Sequence, residues 1–187
     1  LVILNKNKRM KGLEAVYDLY KLQEQEGEDG VFLADTQELV LENVGFDGLD
    51  SETIKAIFLD GRAFSHFIEP WLAKRQWYDK KTGEPFRLNH IKGCKGHDFT
   101  VEHNGKTIFY DEKTFTQNGC KFMPSSMIGT GRKFNQEDFL EKVGKMNYII
   151  VDNSQFPKIK IKWMTGKELI KSYPKGEISP SARSLFY

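Results

Sequence analysis

The stretch TIFYDEKTF, residues 107–115, sets a carboxylate and an ammonium two positions apart in a run of β-branched and aromatic residues. Such a run favours a strand, and on a strand residues two apart share a face. Asp111 and Lys113 therefore point to one side, together with Phe109 and Phe115. Charges on a packed face are costly unless they pair or bind something. Asp98 begins the preceding strand, and His103-Asn104-Gly105-Lys106 lies between the two. Asn-Gly is the strongest short hairpin signal, so the chain returns Asp98 toward Asp111. Two carboxylates brought together repel, and a divalent cation relieves the repulsion. Oxygen donors suit Mg²⁺, with Mn²⁺ as its substitute; Mg²⁺ keeps several waters while accepting one or two carboxylates. A lysine beside such a cation can orient an attacking water or help deprotonate it. The cation lowers that water's pKa and offsets charge on a phosphodiester. Glu112 alternates to the opposite face, toward solvent or a helix layer.

Asp98 followed by Asp111-x-Lys113 resembles the D…(D/E)-x-K signature of the PD-(D/E)XK nuclease superfamily, which includes many type II restriction endonucleases. The resemblance implies that Asp98 and Asp111 hold Mg²⁺ and that Lys113 assists the nucleophilic water. The Pro that often precedes the first acid is absent, since Gly96-His97 stand before Asp98. Upstream, Gly61, Glu69 and Leu72 in GRAFSHFIEPWLAKR fit a G…E…L pattern of the family. That adds Glu69 as a third metal ligand, against the plainer reading of a solvated helix glutamate. Gln117 falls where family members often place a polar active-site residue. The likeness covers about residues 52–152. It implies an α/β fold, a mixed central β-sheet flanked by helices. It also implies Mg²⁺-dependent cutting of double-stranded DNA at a specific site, by a homodimer whose two-fold axis matches a palindrome. A repair, structure-specific or junction-resolving nuclease would use the same core. From another class, a non-catalytic DNA-binding module would keep the fold without the cutting.

Other constellations compete weakly. His90, Cys94, His97 and Cys120 have near-zinc spacing, but no second clean pair follows. A Cys–His nucleophilic pair lacks an orienting third residue. GTGRK, residues 129–133, is too short for a nucleotide-binding loop, yet it can offer Arg132 and Lys133 to a phosphate. The remaining candidates for DNA contact are Lys92 and Lys95 in a basic loop, Ser125 and Ser126, Lys160 and Lys162 on a basic strand face, and Ser179, Ser181 and Arg183 near the C-terminus. Each is equally well read as solvated surface.

The elements that must position these groups are legible in outline. Residues 11–25 carry a helical apolar stripe, and 26–30 form an acidic turn. Residues 31–50 are ambiguous. Asp50 or Ser51 caps a helix from about 52; Gly61 interrupts it, and a second helix runs over 62–76, with Pro70 as a kink or a new first turn. Residues 78–97 read as a polar, basic loop. A hairpin follows, then a Gly- and Ser-rich loop over 117–133, a helix over 136–143 capped by Asn135, a buried strand over 148–151, a strand over 158–163, and a short helix after Thr165. Residues 1–50 are taken as an N-terminal helical, accessory or dimerising region and 51–187 as the core.

Bulk composition sets bounds. The 187 residues suffice for one core domain. The first 60 residues hold 6 Lys/Arg against 13 Asp/Glu, and the rest hold 22 against 13. An excess of positive charge on the larger part suits a polyanion. Two cysteines make no disulfide framework, so a reducing cytoplasm is the expected compartment. No apolar run reaches membrane-span length, and LVILNKNKRM has no signal-peptide pattern.

Overall fold

The computed structural model describes residues 15–17, 25–26, 31–35, 50–79, 82–93, 96–155 and 158–187. Among the described residues three short strands come first: β1 (Ala15–Tyr17), β2 (Gln25–Glu26) and β3 (Val31–Asp35). Helices α1 (Ser51–Leu59) and α2 (Gly61–Lys74) follow. The Asp50 carboxylate accepts the Thr53 N–H at 2.8 Å and the Asp60 carboxylate accepts that of Ala63 at 2.8 Å. Each helix thus begins on an acidic cap that satisfies an orphan donor and favours the positive helix end. The break expected at Gly61 is this second cap. Pro70 lies within α2, and no new helix starts there.

β4 (Trp77–Asp79), β5 (Pro85–Phe86) and β6 (Asn89–His90) come next, where the sequence reads as a loop. Their polar residues hide alternation too short to count: Trp77 and Asp79 are buried around Tyr78. The hairpin β7 (Phe99–His103) and β8 (Lys106–Phe115) follows. Asn104 and Gly105 between them both take positive φ, 51° and 71°, the backbone of a type I′ turn. After β9 (Cys120–Lys121) come α3 (Gln136–Gly144), capped by Asn135, and the antiparallel pair β10 (Asn147–Asp152) and β11 (Lys158–Thr165). Helix α4 (Gly166–Ser172) opens with a reciprocal Thr165–Glu168 capping box. β12 (Glu177–Ile178) and α5 (Arg183–Phe186) end the chain.

Seven strands form one mixed sheet in the order β2-β3-β11-β10-β8-β7-β6. β8 and β10 are parallel, joined by the α3 crossover, and their neighbours are antiparallel. Both faces are covered. Phe58, Phe64, Ile68, Trp71 and Leu72 from the first two helices pack on Phe99, Val101, Tyr110, Ile149 and Val151. On the other face Phe139, Val143 and Leu169 pack with Phe115, Tyr148 and Ile150. This is why β10 reads as an unbroken apolar run: its residues serve both layers.

The N-terminal expectations need correction. Within the stretch expected to be a helix, residues 15–17 are a strand paired with β4, Val16 opposite Tyr78 and Tyr17 opposite Trp77. Backbone pairing with a partner strand distant in sequence outweighs a short helical stripe. Residues 25–26 and 31–35 join the central sheet, β3 against β11. The described part of residues 1–50 is therefore strand, and a boundary at residue 50 cuts through the sheet.

Candidate active site

The turn sets the register of the hairpin. Phe99 pairs with Tyr110, so Asp98 arrives across from Asp111. Asp98 is pinned twice: its N–H donates to the Tyr110 carbonyl at 3.0 Å, and its carboxylate accepts the Glu112 N–H at 2.8 Å. A side chain here takes the place of a backbone ladder partner. Two residues on, Lys113 forms an ion pair with Asp111, and the two side chains are 28% and 14% exposed. The site is thus open to solvent on one side and walled on the other. The parallel register puts Tyr148 beside Asp111 and Ile150 beside Lys113, and both are buried.

The electrostatics follow from this placement. Burial raises the Asp111 carboxyl to about 7; Lys113 opposes the rise, while the neighbouring charge of Asp98 and a hydrogen bond between the two carboxyl groups add to it. Burial pulls the Lys113 amine down, but Asp111, Asp98 and Glu112 more than reverse that, and it ends above its ordinary value. Lys113 is therefore an ammonium, the positive charge that the two acids have to hand.

Glu112 is buried, 4% exposed, on the face covered by α1 and α2. Of the two places expected for it, solvent is wrong and the helix layer is right. It accepts the Thr114 hydroxyl at 2.9 Å. Burial holds its carboxyl well above the ordinary range, and the charges of Glu69 and Asp98 push the same way. Glu69 projects from α2, and its carboxylate meets the His90 ring nitrogen at 2.8 Å. The structure thus brings Glu69 toward Glu112 and His90, while Asp111 and Lys113 point to the other face; Asp98 acts electrostatically on both groups. Gln117 lies exposed in the turn closed by the Thr116–Gly119 bridge, past the end of β8. Among the described residues no three His, Cys, Asp or Glu side chains converge as a metal cluster. Two carboxylates at a partly open site match a cation that keeps most of its waters. Hard oxygen donors, mutually repelling and near a single ammonium, fit Mg²⁺ or Mn²⁺ better than zinc.

The other singled-out residues divide by exposure. Lys92, Ser125, Ser126, Lys133 and Lys160 are exposed, and Lys95 lies outside the described residues. The Arg132 guanidinium donates to the Ser125 carbonyl and shapes its own loop. The Ser179 and Ser181 hydroxyls bond each other at 2.9 Å, and Ser179 lines a cavity of about 500 Å³ with Asn118, Lys121 and Lys175. Two of these cations are engaged within the fold. Lys162 donates to the Phe186 carbonyl at 2.5 Å and sits 4.8 Å over its ring. Arg183 bonds the Thr116 carbonyl, lies 3.3 Å from Asp152 and stacks 4.9 Å over Phe115. Both cations fasten the C-terminal segment onto the sheet, a long-range contact that strand alternation cannot foretell. Cys120 is buried, its thiol pushed up to about 12 chiefly by burial, which leaves it inert as a nucleophile at neutral pH. Of the other zinc candidates, His90 is taken by Glu69, His97 lies against Phe109, and Cys94 is outside the described residues.

No family model, curated protein or solved structure matches this chain. No helix among the described residues is long and apolar enough to cross a membrane.

Proposed function

We propose that this chain is a metal-dependent nuclease that hydrolyses DNA phosphodiester bonds, with Asp98, Asp111 and Lys113 at its centre. The observation that carries the reading is the meeting of two carboxylates at a partly open site on the sheet, with the Asp111 carboxyl raised to about 7 and an ammonium within contact. A polar group in so strained a state is a functional-site candidate. Asp98 and Asp111 would hold Mg²⁺ or Mn²⁺, which supplies Lewis acidity toward a phosphate oxygen and an acidified water. Asp98 contributes a carboxylate already fixed by the Glu112 N–H, so little ordering cost remains. Asp111 loses its proton to bind. Lys113, kept protonated, would donate to a non-bridging phosphate oxygen and stabilise charge as it develops. Exposed Lys92, Lys133 and Lys160 give phosphate contacts and hence affinity rather than sequence choice. Cutting at a specific duplex site by a homodimer is the form the sequence resemblance favours; action on branched or damaged DNA is the alternative with the same centre.

The test is incubation of supercoiled plasmid with and without Mg²⁺, followed by sequencing of the ends. Cleavage is expected only with the metal. Asp111→Ala and Lys113→Ala should each lower the rate at least 100-fold, the usual scale for such groups, while binding DNA within a few-fold of the parent. Retention of DNA without cutting under any divalent ion would point to a binding module instead. Either variant cutting within a few-fold of the parent would remove these residues from the centre.

A further inference from the structure

One large apolar side chain is partly exposed beside the two acids. Phe109 is 39% exposed, whereas Phe115, on the same face of the same strand, is fully buried. It precedes Asp111 by two positions, about 6.6 Å along a strand, and shares its face. His97, the residue before Asp98, lies edge-on against it, ring centroids 4.8 Å apart at 60°. The backbone is fixed as well, since the Asn147 amide donates to the Phe109 carbonyl at 3.3 Å. Each acid is thus flanked by one member of an aromatic pair, and the pair forms a ledge at the open edge of the site. Leaving part of the ring solvated forgoes burial worth roughly 25 cal/mol per Å².

We infer that Phe109, steadied by His97, is a stacking platform for an unstacked nucleobase adjacent to the scissile phosphate. The inference rests on the nuclease reading and names a feature of its substrate. A phosphate held near Asp111 and Lys113 leaves the neighbouring base about one nucleotide away, a spacing comparable to the ~6.6 Å along the strand between Asp111 and Phe109. Base–aromatic stacking is worth about 1–3 kcal/mol per base and is indifferent to sequence. A phenylalanine can equally open a duplex step by wedging against it. The ledge therefore gives the site a preference for DNA whose bases are already free or easily unstacked, such as a single strand, a frayed end or a flexible step.

The test separates stacking from phosphate contact. Binding of a fluorescein-labelled oligothymidylate is compared with that of an abasic deoxyribose-phosphate strand of the same length, by anisotropy without divalent ions. The parent should favour the strand with bases about tenfold. Phe109→Ala should bind both strands equally, at the parent's affinity for the abasic one. Phe109→Trp should keep the preference, and Phe109→Leu, equally apolar but without a ring face, should lose it. An unchanged abasic affinity shows that the variants are folded. The inference is overturned if the parent shows no preference, or if Phe109→Ala keeps it. Since no cleavage is involved, a preference that depends on Phe109 in a protein that never cuts DNA would sink the nuclease reading and leave the platform standing.

Discussion

Asp111 carries a pH signature that can be worked out in sign. Its folded value, about 7, lies above the ordinary value near 3.9. Below about pH 4 the group is protonated folded or unfolded and contributes nothing. Between about pH 4 and 7 the unfolded chain ionises while the folded one keeps its proton, so stability falls as pH rises. Above 7 the penalty is constant. Asp111→Asn abolishes the effect. Urea unfolding at several pH values should show the variant gaining on the parent between pH 4 and 7, by on the order of 4 kcal/mol at about 1.4 kcal/mol per unit. Parallel curves would mean that Asp111 is not strained. At this scale the sequence was informative where chemistry depends on local spacing: period-two alternation and one Asn-Gly turn suffice to join Asp98, Asp111 and Lys113. It was silent on which face of β8 is dry, so the burial of Glu112 and its nearness to Glu69 stayed hidden. The inward turn of Lys162 and Arg183 depends on where the last ten residues settle, which no local pattern encodes.

The elements were legible in proportion to how much of their signal is local. Caps and turns announced themselves at Asp50, Asn135, Thr165 and Asn104-Gly105, because each satisfies backbone groups within three residues. The strand at residues 15–17 did not, because its partner lies some sixty positions away. The placement of α4 depends on a close approach that only glycine permits. A Cβ on Gly166 would lie 1.7 Å from the Val143 carbonyl oxygen, and the Gly166 N–H donates to the Met146 carbonyl at 2.7 Å. Gly166→Ala must therefore push α4 away from the end of α3 and open the layer around Leu169 and Val143. Chemical denaturation should report a loss of about 3 kcal/mol or more, the range of severe packing defects. A change below about 1 kcal/mol would mean that the two helices can separate freely.

The described fold is a mixed sheet covered on both faces, and the proposed centre sits where that covering stops. The α1–α2 layer covers one side of the β7–β8 hairpin and the α3–α4 layer covers the other, but the hairpin's outer half, with Phe109 and the Asp111–Lys113 pair, is left open. A molecule that holds the strained Asp111 carboxyl beside a second acid and one ammonium is less stable than it could be, and a bound cation would return that stability. The layered mixed architecture was foreseeable from the order of elements, whereas the contribution of β2 and β3 to the sheet was not. The central claim is that Asp98 and Asp111 form one site for a hard divalent ion, and titration of Mn²⁺ into the folded protein tests it most directly. The expected result is a single site, weakened many-fold in both Asp98→Asn and Asp111→Asn, with affinity rising about tenfold per pH unit below 7 because one proton must leave Asp111. Absence of binding at millimolar Mn²⁺, or binding that neither substitution alters, would contradict it.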